Sequence, residues 1–353
     1  MTTFIFSSID LGIAPRDLAE QPVAAPVPAP DLAPPVNEQV AGAVRTGLST
    51  RPLGLPPWLF YDEAGSRLFD EITCRPEYYP TRTERAIFAA NAEAIVAKAA
   101  EGGRLRIIEL GAGSADKTRL LLQAAVDRQH FLVYEPVDVS PTALDAAKIR
   151  IESEIPGVMV APRVRDYTHG GPRALDLDPA QAGERRLVLY IGSSIGNFEP
   201  AEARSLLRRV RASLNPGDSF LLGVDLVKDE ATLLAAYDDA AGVTADFNLN
   251  LLERLNRELD AEFYLESFEH RAVWNAAKSR IEMHLASRIA QTVNVAALNL
   301  QVDFAEGETI HTENSYKYVP GQAEAMLEEA GFTPAKSWTD ENAWFNVTLA
   351  IAR

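Results

Sequence analysis

Three segments place small or acidic residues where a folded chain could hold a nucleoside. The first, Glu109-Leu-Gly111-Ala-Gly113-Ser, closes a short apolar run and precedes a stretch of helical character. Glycine lets a backbone turn sharply and approach a ligand closely, and the helix start behind it offers free N–H groups to an anion. Phosphate loops carry a third glycine or a Gly-Lys-Ser/Thr ending. Here Lys117-Thr118 follows with no glycine directly before the lysine, so a ligand bearing a carboxylate and a sulfonium suits the loop better than a pyrophosphate. Asp138 follows the next apolar run, 25 residues beyond Gly113, where a carboxylate accepts ribose hydroxyls. Asp166 ends a third run and could accept from an adenine amino group, with Tyr167 packed on the ring. Singly, each has an ordinary explanation, a strand–helix turn or a cap before Ser140-Pro. Together, in this order, Gly111/Gly113, Asp138 and Asp166 are the pattern of a site for S-adenosylmethionine (SAM).

A second set is aromatic. Phe60-Tyr61-Asp62 and Glu77-Tyr78-Tyr79-Pro80 lie upstream of the first of these loops, and Tyr237 lies in Ala236-Tyr-Asp-Asp239. Any one tyrosine reads first as packing. Methylation of an amine supplies a further reason for them, because its product is a quaternary ammonium that aromatic faces attract, and tyrosine hydroxyls also bind carboxylates. The five histidines, His130, His169, His270, His284 and His311, are scattered and show no metal-ligand spacing. Gly192-Ser-Ser-Ile-Gly196 is not a nucleophile elbow, since isoleucine stands before its second glycine and no acid–histidine pair accompanies it.

The elements that must carry these residues alternate. Helices are expected over Glu84–Ala100, Lys117–Arg128, Pro141–Ile155 and Pro200–Leu214, and strands over Leu105–Leu110, Phe131–Val137, Val158–Arg165, Arg186–Ile191 and Ser219–Val224. Such alternation implies an α/β fold with a parallel sheet covered by helices on both faces. Right-handed crossovers then bring every glycine and aspartate at a strand's carboxyl end to one edge. Beyond residue 227 the character changes. Helices are expected over Ala231–Asp239 and Val243–Leu259, then strands over Ala261–His270, Arg280–Arg288 and Gln291–Val302, then a helix-like Glu313–Ser315. A helix over Gln322–Ala330 and strands over Thr333–Thr339 and Phe345–Ile351 close the chain in the manner of a SAM-dependent methyltransferase sheet. The expected architecture is the class I, Rossmann-like one, a seven-stranded, mostly parallel sheet with an inserted α+β substrate-binding domain. Residues 83–226 plus 318–353 form the expected core, and 39–82 plus 227–317 the substrate-binding part. Residues 1–38, with prolines crowded over 21–36, read as a flexible leader.

Composition narrows the partners. The 353 residues carry a net charge of −16, which repels phosphate backbones and argues against nucleic acid. The densest basic stretch, Arg204 to Arg211, reads as the solvated face of an amphipathic helix. A single cysteine, Cys74, excludes an intramolecular disulfide and fits a reducing, cytoplasmic compartment. No apolar run is long enough to span a membrane. A small-molecule substrate, a monomer and no metal are the expectations.

At this level of detail the chain resembles the histidine-specific Nα-methyltransferases of ergothioneine biosynthesis. The resemblance spans residues 50–353 and rests on Phe60-Tyr-Asp-Glu-Ala-Gly-Ser-Arg-Leu-Phe-Asp70, Pro76-Glu-Tyr-Tyr-Pro-Thr-Arg-Thr-Glu84, Glu109-Leu-Gly-Ala-Gly-Ser, Gly192-Ser-Ser-Ile-Gly-Asn197, Gly223-Val-Asp-Leu-Val-Lys-Asp229, Ala236-Tyr-Asp-Asp, Ile281-Glu-Met283 and Thr312-Glu-Asn-Ser315. It implies three methyl transfers from SAM to the α-nitrogen of L-histidine, giving hercynine. It further implies that Asn197 and Tyr237 bind the substrate carboxylate and that Tyr61 sits by the amine. Gly192 and Ser194 line the same pocket, Glu313 and Ser315 hold the imidazole, and Tyr78 and Met283 lie beside it. Tyr61, Asn197 and Tyr237 are the expected catalytic residues. Gly111, Gly113, Lys117, Asp138, Asp166 and Tyr167 are expected to hold SAM. The amine must lose a proton, to water or to the Tyr61 hydroxyl. Another free amino acid, tryptophan or tyrosine, is the alternative substrate; a SAM-binding protein without turnover and a macromolecule methyltransferase are more distant readings. The proline-rich leader is foreign to the family pattern.

Overall fold

A computed structural model describes residues 37–113, 115–167, 175, 177 and 180–353. The proline-rich segment over 1–36, the edge strand considered for Thr3–Ser7, Ser114 and His169 lie outside the described residues. Asn37 and Glu38, assigned to the leader from sequence, instead open the first helix. The Asn37 side chain accepts from the N–H groups of Gln39 and Val40, a standard way to satisfy a helix start.

Along the chain the elements are α1 (Glu38–Leu48), α2 (Glu63–Thr73), α3 (Tyr79–Ala99), β1 (Arg104–Leu110), α4 (Arg119–Gln129), β2 (Leu132–Asp138), α5 (Pro141–Glu154), β3 (Val158–Val160), β4 (Arg163–Val164), β5 (Glu184–Tyr190), α6 (Pro200–Ser213) and β6 (Ser219–Asp225). There follow α7 (Glu230–Ala235), α8 (Val243–Leu259), β7 (Phe268–Asn275), β8 (Arg280–Ser287), β9 (Gln291–Val295), β10 (Leu300–Phe304), β11 (Thr309–Tyr316), α9 (Gln322–Glu329), β12 (Phe332–Thr339) and β13 (Phe345–Ala352).

The main sheet runs β12-β13-β6-β5-β1-β2-β3, with the short β4 also paired to β2. The β1, β2, β3, β5 and β6 pairings are parallel, and β13 returns antiparallel to β6 and β12. This is the class I methyltransferase architecture, α/β with a mostly parallel central sheet. Strands buried on both faces show why. Ile107 points into an apolar cluster with Phe88, Leu121 and Ile151 of α3, α4 and α5, while its neighbour Ile108 points into another with Leu206, Leu207 and Leu327 of α6 and α9. β5 alternates likewise, with Leu187 and Leu189 on one side and Val188 and Tyr190 on the other. Strand order reverses between β1 and β5, so a crevice opens there at their carboxyl ends, flanked by Gly111 and Gly192.

A third apolar cluster gathers residues from Val40 to Tyr79 and from Leu233 to Ile310. α8 is its spine. Phe247, Leu251, Leu252, Leu255 and Leu259 are buried at helical spacing, and Phe60 stacks on Phe247 with centroids 4.5 Å apart. A Leu251→Ala substitution leaves a cavity where the side chain is fully buried. The expected cost is about 2–5 kcal/mol of unfolding free energy, read from a shift in the urea midpoint. Around α8 lie a three-stranded antiparallel sheet, β11-β8-β7, and the β9–β10 hairpin.

Several sequence expectations change here. Glu313–Ser315 is strand, not helix; it lies within β11, paired to β8 with Glu313 opposite Met283. The strand expected over Ala261–His270 begins only at Phe268, after a turn at Leu265–Ser267. The one expected over Gln291–Val302 is two strands, because Ala296–Leu298 turn and Asn299 takes a left-handed backbone with φ of 48°, a conformation asparagine tolerates. Val158–Arg165 likewise breaks into β3 and β4. The helix expected over Ala231–Asp239 stops at Ala235.

Candidate active site

The carboxyl ends of β1, β2, β5 and β6 deliver Gly111, Asp138, Gly192 and Asp225 to one edge of the sheet. Asp138 folds back on the glycine loop: its carboxylate accepts the Gly113 N–H at 3.0 Å and the Ser140 N–H at 3.1 Å. Gly111 has φ of +71°, and a Cβ there would stand 2.5 Å from the Tyr167 hydroxyl. A side chain is thus excluded twice, by backbone conformation and by contact. Below the loop, Glu109 is buried and accepts from the hydroxyls of Thr118 and Tyr134. Burial pushes its carboxyl up to about 7, against the pull of those two bonds. Asp166 accepts from the Gln39 side chain at 3.4 Å, and the Tyr167 ring meets Tyr190 edge-on at 5.9 Å. Lys117 turns to the neighbouring strand end. It pairs with the fully buried Glu84 of α3, whose carboxylate also accepts the Gly192 N–H at 3.0 Å.

The nine residues expected around the substrate meet in one cavity. Tyr61, Tyr78, Gly192, Ser194, Asn197, Tyr237, Met283, Glu313 and Ser315 line it, with Phe69, Ile72, Ser193, Ala236, Thr244 and Phe247. They arrive on several supports. Asn197 ends a short turn after β5; Tyr78 caps the start of α3; Glu313 and Ser315 alternate along β11, with Met283 across from Glu313 on β8. One wall is aromatic: Tyr61, Phe69 and Phe247 sit within 6.0 Å of one another by ring centroids, and Tyr78 bridges Phe69 and Tyr237 at 6.2 Å each. The opposite wall is polar. Asn197 Nδ2 donates to Glu313 Oε1 at 3.0 Å, and the Tyr237 and Ser315 hydroxyls lie 2.7 Å apart.

Glu313 is part-exposed, yet its carboxyl is crowded by protein atoms. Desolvation pushes its carboxyl up to about 7, while the Lys317 charge and the Asn197 hydrogen bond pull the other way. Tyr61 is pushed well above the usual phenol range by burial first and then by Glu313, with lesser contributions from Tyr167 and Asp138. A phenol held this high keeps its proton at neutral pH, so Tyr61 suits hydrogen bonding and not proton removal.

Sequence reasoning missed part of this cavity. Phe69, Thr244 and Phe247 were not singled out; Thr244 and Phe247 share a face of α8 three residues apart. It also missed the charges beneath the cavity. Lys317, four residues beyond Glu313 and on the same side of the extended chain, donates to Tyr237, Ser315 and Asp225. Only once Glu313–Ser315 is known to be strand does alternation from Glu313 lead to Lys317.

The sequence of residues 40–352 matches the family model described as histidine-specific methyltransferase, SAM-dependent. The chain belongs to this family. It is 46% identical over 308 residues to the histidine N-alpha-methyltransferase of Mycolicibacterium smegmatis, covering 87% of this chain and 93% of that one. It is 44% identical over 307 residues to the histidine N-alpha-methyltransferase of Mycobacterium tuberculosis, with the same coverage of each. Ergothioneine biosynthesis protein 1 of Neurospora crassa is more distant, 29% identical over 302 residues, and the match takes up 34% of its length. Among the described residues, no group of three or more His, Cys, Asp or Glu is arranged to hold a metal ion, and no helix is long and apolar enough to cross a membrane.

Proposed function

We propose that this protein transfers three methyl groups from SAM to the α-amino group of L-histidine, giving hercynine. The observation that carries this reading is the polar wall of the cavity. A neutral imidazole has one N–H to donate and one nitrogen that accepts. Glu313 offers a carboxylate for the first and Ser315, two residues on, a hydroxyl for the second, with Met283 beside them. A site with such groups rejects side chains that leave them unpaired.

The residues at the sheet edge fit SAM. Gly111 leaves a cradle that a side chain would fill, Asp138 retains acceptor capacity for ribose hydroxyls, and Tyr167 and Asp166 border the same loop. Bound there, SAM supplies an electrophilic methyl on its sulfonium. The chain's own part is positioning. Asn197 and Tyr237 hold the substrate carboxylate, and Tyr61 orients the amine toward the donor loops. The rings of Tyr61, Phe69, Tyr78 and Phe247 face the cation that grows as methyls accumulate. With Tyr61 protonated, the substrate nitrogen gives one proton to solvent before each of the three transfers and attacks each time in its neutral form. A displacement at a sulfonium requires no Lewis acid, so we read the reaction as metal-independent. The third apolar cluster supports a division of labour, with 83–226 plus 318–353 as the methyl-donor core and 39–82 plus 227–317 as the substrate-binding part.

The test is direct. The protein is incubated with SAM and an equimolar pool of the twenty amino acids, and product masses are read. A trimethylated histidine is the expected product. Trimethylation of tryptophan or tyrosine instead would keep the SAM site and overturn the imidazole reading; no methylation would overturn the activity.

A further inference from the structure

Beneath the polar wall lies a group of charges that the proposed reaction does not itself use. Lys317 is buried, and its ammonium has three N–H donors. All three are engaged, by Tyr237 OH at 2.8 Å, Ser315 Oγ at 2.9 Å and Asp225 Oδ2 at 2.8 Å. The same nitrogen lies 4.6 Å from the centre of the Tyr237 ring. Lys228 holds the other oxygen, Asp225 Oδ1, at 2.6 Å, and the Tyr79 hydroxyl donates to Oδ2, the oxygen that Lys317 holds, at 2.6 Å. The carboxylate therefore already has one cation without Lys317. A second buried cation costs desolvation free energy that Asp225 alone does not demand.

From this geometry we infer that Lys317 is a positioning residue for substrate binding: by donating to both Tyr237 and Ser315 it turns their hydroxyl protons away from itself, toward each other and the cavity. With their lone pairs taken up by an ammonium, the two hydroxyls have two protons between them. One closes the 2.7 Å contact that joins them, and the other is left for the ligand. The pair thus presents a single donor in a fixed direction, from Ser315 to a ring nitrogen or from Tyr237 to a carboxylate oxygen, so only one of the two contacts proposed above is a donation by this pair. Lys317 also sets the charge of the wall, since its field favours the ionised form of Glu313. This inference rests on the proposed amino-acid substrate, but not on its being histidine.

The variant to make is Lys317→Met, which keeps the stem and leaves Asp225 paired with Lys228. The proposal expects S-adenosylhomocysteine, titrated calorimetrically, to bind within about twofold of wild type, while kcat/KM for histidine falls at least about tenfold, mainly through KM. The acid limb of the kcat/KM profile should move to higher pH, because Glu313 loses its cation. In a double-mutant cycle, Ser315→Ala should cost much less in the Lys317→Met background than in wild type. A wild-type kcat/KM with an unmoved acid limb overturns the proposal, and so does a loss fully additive with Ser315→Ala, for then Lys317 only packs and balances charge. Should Lys317→Met fail to fold, Lys317→Gln carries the same cycle with N–H donors but no charge. If the wild-type protein methylates a different amino acid, the histidine reading falls separately, and the cycle run on that amino acid still decides the role of the lysine.

Discussion

Replacing Glu313 with glutamine lowers kcat/KM for histidine roughly 10- to 150-fold, the worth of about 1.5–3 kcal/mol for a hydrogen bond to a charged group. Glutamine keeps the shape and an oxygen that still accepts from Asn197, so the cavity stays assembled and the loss isolates the charge. The pH profile separates this effect from others. In the free protein the Glu313 carboxyl is raised to about 7, so the ionised acceptor is lost as pH falls through that value and regained as it rises. Wild-type kcat/KM therefore climbs through pH 7 on this group as well as on the imidazole of the substrate, near 6.5, and on its amine at higher pH. The glutamine variant retains the limbs that belong to the substrate and loses one proton's worth of slope on the acid side. Steady-state rates of S-adenosylhomocysteine release between pH 5.5 and 9, for both proteins, decide the matter. Equal acid slopes would remove Glu313 from substrate recognition.

Replacing Asp138 with alanine acts on the other half of the site. Two charge-assisted hydrogen bonds to ribose are forfeited, and the Gly113 and Ser140 N–H groups lose their acceptor, so the glycine loop is no longer latched to the end of β2. At about 1.5–3 kcal/mol per charged hydrogen bond, affinity for S-adenosylhomocysteine falls by about 10²–10⁴-fold. Calorimetric titration checks it. Unchanged affinity would mean that Asp138 serves the loop alone. Because the substrate cavity is built from other elements, the variant is expected to fold.

The methyl-donor half of the site was legible from sequence for a physical reason. Parallel strands buried on both faces read as apolar runs, and what ends such a run, Gly111, Asp138 or Asp166, stands out against it. Of the proposed acceptor half, only the tyrosines stood out as residues; the rest came through resemblance to a family. Its supports are far apart in the chain, Tyr61 and Tyr78 near one end and Glu313 near the other, and no spacing rule links them. β11 was misread as helix-like for a related reason. On a strand whose inward positions face a ligand, Glu313 and Ser315 occupy places where apolar residues normally mark the period of two, so the alternation vanishes where function is densest. Lys317 and Asp225 went unnoticed because each, alone, is an ordinary charge near an element's end; only the fold makes them neighbours. Phe69 and Phe247 were indistinguishable from core, since a cavity wall and a core ask for the same side chains.

The pairing of Met283 with Glu313 across β8 and β11 bears on how such proteins diversify. Both positions lie outside the main sheet, on adjacent strands of a small antiparallel one, and their side chains share one space. A lineage that acquires a new acceptor need not disturb the donor loops, but it must alter these two sites in concert, because a change of volume or polarity at one alters what the other tolerates. Selection on substrate range should leave its record there as linked substitutions, an epistatic pair on an otherwise conserved frame.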